Sequence, residues 1–299
     1  TKNGLTRYDG VNWQIHVKKN TNALGSDIIE GLSVTEDALL IATENGVVRY
    51  NSGGFVSVLN GLRARGVAGK GSTIAIATAH GIEYSNGGQF APYGKENAGL
   101  IFDEVNTVGF DKKDRIWAGT RSGMAAFQGS MFQNFTGPAK TIMGSSLVDV
   151  PASPANCRLI GNNVNCILRF KEKLAIGTTS GLSITDMEND WASHTAPHKE
   201  WVQRGSQILE EQTSGNSPLQ GNNVTSLALT PDENTLFVGT NKGLGIFHQG
   251  AWVPADSRLA ELNGLSITAV GIEKDNLWIG TPAGLLWVKG ISAVLPVAK

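Results

Sequence analysis

Charge is scarce in this 299-residue chain: Asp, Glu, Lys and Arg make up 17% of it, against the ~25% usual in soluble domains. The 25 Lys+Arg and 26 Asp+Glu leave a net charge of −1, with no block of either sign. A sequence-independent grip on nucleic acid needs a positive footprint, and none is visible. No apolar run approaches the roughly 18–20 residues that span a bilayer, and no signal-peptide-like apolar segment stands at the start. The chain opens Thr1-Lys2-Asn3 without a Met and reads as processed or trimmed. Helical 3.6-residue periodicity is missing too, which sets helical repeats aside. Cysteine is limited to Cys157 and Cys166, with eight residues between them. The expectation is a disulfide pinning a loop in an oxidising compartment, the alternative being two unrelated thiols. A zinc site is not expected, because no second Cys/His pair lies at matching spacing.

What the chain has in quantity is glycine, 37 residues, alongside a 40% hydrophobic fraction. That is the balance of a turn-rich β-protein with a core. Internal repeats carry the argument further. Leu277-Trp278-Ile279-Gly280-Thr281-Pro282-Ala283-Gly284-Leu285 has relatives at Ile116 to Met124, Leu174 to Leu182 and Leu236 to Leu244, and weaker copies at Ile41 to Gly46 and Ile76 to Gly81. The chain begins inside a further copy, Thr1-Lys2-Asn3-Gly4-Leu5. Thr-x-x-Gly thus recurs in register, with glycines at 4, 46, 81, 123, 181, 243 and 284. A second signature follows most copies, in full as Tyr8-Asp9-Gly10-Val11-Asn12-Trp13.

Short strands joined by turns that need φ > 0 account for Gly, Asn and Asp at the corners. A four-stranded unit repeated every ~35–60 residues is a β-propeller blade. The fold class expected is therefore all-β, a single β-propeller domain over residues 1–299. Two long glycine spacings locate insertions at about 137–161 and 195–220. Within the second, Lys199 to Glu210 reads as a short amphipathic helix interrupted near Gly205. Six repeats are complete and the first is a half repeat, so seven four-stranded blades are expected, with six as the alternative. The tail Ile291 to Val297 is read as an outer strand of the last blade or a clasp on the first.

The composite signature, Trp-x-Gly-Thr-x-x-Gly-Leu followed by Tyr-Asp-Gly-x-x-Trp, resembles the two-component regulator propeller repeat. Thr1 to Trp13 and Ile116 to Phe132 match best, and nearly the whole chain outside the insertions is covered. The resemblance implies a bacterial extracytoplasmic sensor-type propeller in a periplasmic, cell-surface or secreted location. Kinase and response-regulator segments are not found in this chain, which leaves binding as the common denominator.

Candidate chemistry is thin. His194 and His198 are four apart, but Pro197 argues against a helix that would align them as metal ligands. Asp186, Glu188 and Asp190 alternate where the repeat puts a polar turn, without the glycine and distal Glu of a calcium loop. No nucleophile elbow, phosphate loop or dinucleotide-binding glycine cluster is present. Trp117, Trp278 and Phe237 share one repeat position and read as inter-blade core. Trp201 breaks the pattern. With Arg204, Ile208 and Leu209 it forms the candidate partner-binding set, since Trp is enriched at interface hot spots. The function expected is non-catalytic binding of another protein, an oligosaccharide or a small ligand, with no cofactor and no metal. The alternatives are a propeller enzyme (lyase or glycoside-active) with a central site, and a structural subunit.

Overall fold

The recurring Thr-x-x-Gly is a turn that closes on itself. In the computed structural model, which describes residues 1–21, 23–254, 257–291 and Leu295, five of these threonines make the same two bonds. Thr43, Thr78, Thr178, Thr240 and Thr281 each donate Oγ1–H to the carbonyl of the glycine three residues on, at 2.8–3.0 Å. Each also accepts the N–H two residues on, at 3.0–3.2 Å. The glycine then turns the chain into the next strand with φ between +107° and +145°, a region that L side chains rarely occupy. A Cβ on Gly46 would stand 2.0 Å from the Leu59 carbonyl oxygen, and one on Gly81 would stand 2.1 Å from that of Tyr93. Glycine is required here for space as well as conformation.

These turns sit between the second and third strands of each blade. Blade 1 comprises Ile29–Val34, Leu39–Thr43, Gly46–Asn51 and Gly54–Asn60; blade 2, Gly66–Lys70, Thr73–Thr78, Gly81–Asn86 and Ala91–Tyr93. Blade 3 comprises Val105–Phe110, Ile116–Thr120, Gly123–Phe127 and Phe132–Phe135; blade 4, Val164–Phe170, Lys173–Thr178, Gly181–Thr185 and Trp191–His194. Blade 5 comprises Val224–Leu229, Thr235–Thr240, Gly243–His248 and Ala251–Val253. Blade 6 shows Ala269–Glu273, Asn276–Thr281 and Gly284–Lys289. Strands within each sheet run antiparallel in sequence order.

The fold is an all-β β-propeller, and it has six blades rather than seven. The reason lies in the half repeat. Among the described residues, Leu5–Tyr8 and Trp13–His16 pair only with each other, so the half repeat does not make up a four-stranded blade. The tail expected as a fourth strand or clasp falls largely on residues 292–294 and 296–299, outside the described residues.

The chain packs as two compact units, residues 1–110 with 114–121 and 125–133, and residues 111–113 with 122–124 and 134–299. In each, second- and third-strand residues of one blade cover the first two strands of the next. Ala75, Ala77 and Ile82 pack with Val105, Val108 and Ile116 in the first unit. In the second, Ala175, Leu182 and Ile184 pack with Val224, Leu236 and Val238, and Phe237, Leu244 and Ile246 with Ile267, Leu277 and Ile279. Trp117 and Phe237 are wholly buried, as their shared repeat position implies, while Trp278 stacks on Trp287 with ring centroids 5.0 Å apart.

Two expectations are corrected. Lys199 to Glu210 is not a helix: His198–Arg204 and Gln207–Thr213 form an antiparallel hairpin. The two-residue turn Gly205-Ser206, with Gly205 at φ +61°, sets that outcome, since tight hairpins need φ > 0 at the turn. The first insertion is built alike, Ala139–Met143 pairing with Ser146–Val150 through Gly144-Ser145, Gly144 at φ +62°. Helix is confined, among the described residues, to the turn Lys95–Ala98 and the 3-10 segment Ser257–Leu262.

Cys157 and Cys166, expected as a disulfide, are both free thiols. They belong to separate packing environments. Cys166 pairs with Gly177 across the blade 4 sheet and its sulfur lies over that glycine, where burial pushes the thiol up to about 12. Cys157 is buried in the preceding loop, where its N–H is bound to the Pro154 carbonyl.

Candidate binding site

Both insertions are closed at the foot by the same device. Asn162 accepts the Gly137 N–H at 2.8 Å and donates to the Gly137 carbonyl at 3.3 Å. Asn222 does likewise with Ala196, at 2.6 Å and 3.3 Å. One amide side chain thus ties the start of each insertion to its end, using its acceptor and donor together. The signal in the sequence is the tetrapeptide Gly-Asn-Asn-Val, at 161–164 and again at 221–224. The two hairpins also meet, Gln203 Oε1 accepting the Leu147 N–H at 2.8 Å.

Beneath the second hairpin lies a cleft of about 390 Å³. Its walls come from the hairpin base (Pro197, His198, Lys199, Gln212), the loop entering blade 5 (Gln220 to Asn223), and the Thr-x-x-Gly turns of blades 4 and 5 (Thr179, Asn241, Lys242). The polar lining is amide, hydroxyl, ammonium and imidazole, with no carboxylate. Asn241 Oδ1 is buried against Gly221 and has no donor among the described residues. Sequence reasoning missed this cleft, because its polar residues are spread over four segments that only the fold gathers.

The four residues singled out in the sequence divide between two faces. Register pairs Lys199 with Gln212, Trp201 with Glu210 and Gln203 with Ile208. Side chains alternate along a strand, so Trp201 and Ile208 share the face of the cleft-lining Lys199 and Gln212. Arg204 and Leu209 project from the other, which also carries the cleft-lining His198. Arg204 is engaged within the hairpin, donating from Nε and Nη2 to Glu211 at 2.8 and 2.9 Å. Those bonds hold the Glu211 carboxylate below its ordinary range. Trp201 is 47% exposed.

His194 and His198 do not converge. His198 lies on the hairpin, its Nδ1 within 2.9 Å of the Ala196 carbonyl and 3.0 Å of Thr213 Oγ1, its Nε2 2.9 Å from Glu200 Oε1. His194 belongs to the aromatic core, with its Nδ1 accepting from Trp252 Nε1 at 3.1 Å and its ring packed on Phe247. Burial holds the His194 imidazole below its usual range. The unfolded chain therefore takes up that proton first, and the associated stability is complete above the unfolded pKa and lost as pH falls through and below it. Urea midpoints should drop between pH 7.5 and 5.5, and His194→Phe should flatten that drop; an unchanged slope would remove His194 from the account. At the other acidic turn, Asp186 accepts the N–H groups of Glu188, Asn189 and Asp190 and is held below its usual range by those bonds. That is a backbone-satisfying turn.

No protein-family profile matches the chain, and no curated protein does. Solved structures do. The extracellular domain of the B. thetaiotaomicron protein BT4673, assigned in one structure to the one-component and in another to the hybrid two-component systems, aligns over 96% of this chain. Identity is 20% in both, with TM-scores of 0.62 and 0.61. A catalytically inactive virginiamycin B lyase from Staphylococcus aureus, with quinupristin, aligns over 94% of this chain and 86% of its own, at 9% identity and TM-score 0.62. What they share with this chain is the β-propeller fold. The BT4673 domain is of the kind that the two-component regulator propeller resemblance names, and the present chain spans about a third of it, 36% and 35% in the two structures. No helix among the described residues is long and apolar enough to cross a membrane.

Proposed function

We propose that this chain is a non-catalytic binding module of the extracytoplasmic sensor type, acting at the bacterial envelope or outside the cell. Its recognition surface is the polar cleft together with the cleft-side face of the second hairpin. The observation that carries this reading is that exposed Trp201 shares a hairpin face with Lys199 and Gln212, two residues that line the amide- and ammonium-bearing cleft. Amides both donate and accept, which suits an oligosaccharide or a small polar ligand in the cleft. An exposed Trp suits an anchor against the same ligand or a protein partner. The enzyme alternative finds less support: both nitrogens of the cleft histidine, His198, are engaged by protein groups.

The test is recovery of the native ligand or partner by the wild-type chain from envelope extract, followed by affinity measurement on variants. Trp201→Ala should weaken binding at least ~30-fold, the effect of a hot-spot residue worth about 2 kcal/mol, while stability stays within about 1 kcal/mol of wild type. Unchanged affinity with a large loss of stability would mean that Trp201 only packs its own hairpin.

A further inference from the structure

The cleft at the foot of the second hairpin carries charge of one sign. Lys199 and Lys242 line it, and among the described residues no Asp or Glu does. The hairpin's own carboxylates are engaged. Glu200 lies 2.9 Å from His198 Nε2 and Glu211 accepts from Arg204, both on the face opposite Lys199. Glu210 takes Lys199 itself, at 3.3 Å. Lys242 is different, because its ammonium has no acceptor among the described residues. The repeat does not require a cation there: the same place in Thr-x-x-Gly is Asn45, His80, Ser122, Ser180 and Ala283 in the other blades. Its stem is nevertheless held in place. A Cβ on Gly221 would stand 3.1 Å from Lys242 Cβ and 3.3 Å from its Cγ. The stem thus lies against the Gly221 backbone, as long cationic side chains do while their heads stay in water. Two further lining groups are unspent. Asn223 Oδ1 accepts from Asn165 Nδ2 at 2.8 Å, but the Asn223 amide nitrogen and the Thr179 hydroxyl make no bond among the described residues.

We propose that the ligand of this cleft carries a carboxylate, bound by the Lys242 ammonium, on a hydroxylated frame held by the lining amides and the Thr179 hydroxyl. The inference rests on the cleft being the recognition surface and adds the charge of what it recognises. An ammonium is a point charge that pairs with carboxylates and phosphates alike. The charge count selects between them. Lys199 is already shared with Glu210, so one ammonium is left, which balances a carboxylate and undercompensates a phosphate monoester with its near-double charge at pH 7. Amides that donate and accept suit neighbouring hydroxyls. A uronic acid residue within an oligosaccharide and a free sugar acid both offer this chemistry.

The test is titration of the full chain with oligogalacturonate, oligomannuronate and gluconate, each beside the neutral saccharide of the same parent sugar. At least one acid is expected to bind saturably, its neutral counterpart at least about tenfold more weakly. Lys242→Met should weaken the acid at least about tenfold, the loss of one hydrogen bond to a charged group, and leave the neutral counterpart unchanged. Lys242→Arg, which keeps the charge, should retain most of the binding. Added salt should weaken the acid and spare the neutral sugar, because exposed charges are screened. Binding of an oligouronate without gluconate assigns the carboxylate to a saccharide residue, and the reverse assigns it to a free acid. Failure of every acid to bind overturns the proposal, as does acid binding indifferent to Lys242→Met. A neutral saccharide bound as tightly as its acid, lost with Trp201→Ala and untouched by Lys242→Met, also overturns it while leaving the cleft as the recognition surface.

Discussion

Phe237→Ala is expected to destabilise the protein by about 3–5 kcal/mol, the range for emptying a large aromatic site in a core. Phe237 is wholly buried on the second strand of blade 5, in a cluster with Leu244, Ile246, Ile267, Leu277 and Ile279. Leu277 and Ile279 belong to blade 6 and Ile267 to the segment that enters it, so the cavity would open between two sheets that share no strand pairing. Relaxation across such a boundary moves whole blades, which keeps the cost near the upper end. Phe237→Leu, which retains most of the volume, should cost less than half as much. Chemical denaturation of the three proteins decides it. Equal, small losses would show that the blade boundary repacks freely and that the repeat position is less constrained than its recurrence suggests.

Gly46→Ala is the second large effect, at least ~3 kcal/mol. A non-glycine residue held at positive φ costs about 1–3 kcal/mol by itself. At Gly46, φ is +120° and the added Cβ would meet the Leu59 carbonyl oxygen at 2.0 Å, so the fourth strand must also move. Gly129 separates the two contributions. It has φ +89° with nothing within 4 Å of an added Cβ, and Gly129→Ala should show the conformational cost alone. If both substitutions cost the same, the tight approach of the fourth strand is not a constraint.

The fold was legible because its determinants are local and repeated. Thr-x-x-Gly encodes a complete turn in four residues, and the alternation ahead of it encodes the strand. The blade number was not legible in the same way. A half repeat at Gly4 to Val17 reads as part of a blade until its strands are seen to pair, among the described residues, only with each other. The second insertion was misread through its amphipathic spacing around Trp201; the decisive signal was Gly205-Ser206, echoed by Gly144-Ser145 in the first. The cysteines show the limit of spacing arguments, because Cys166 is committed to the sheet beside Gly177 whatever its distance in sequence from Cys157. Of the candidate contact residues, Trp201 and Ile208 share a hairpin face with Lys199 and Gln212, and Arg204 and Leu209 lie on the opposite face. Only strand register could divide them. The cleft itself was invisible in sequence, since Asn222, Asn241 and Lys242 are ordinary turn residues until the fold brings them to the foot of the hairpin.

The central claim is that recognition resides at this cleft and hairpin. Amide hydrogen exchange of the intact chain, with and without the component recovered from native envelope, tests it most directly. Slowed exchange is expected across residues 198–213, 220–223 and 241–242, with residues 29–60 of blade 1 unchanged. Protection confined to other blades, with the hairpin and cleft exchanging as in the free protein, would contradict it.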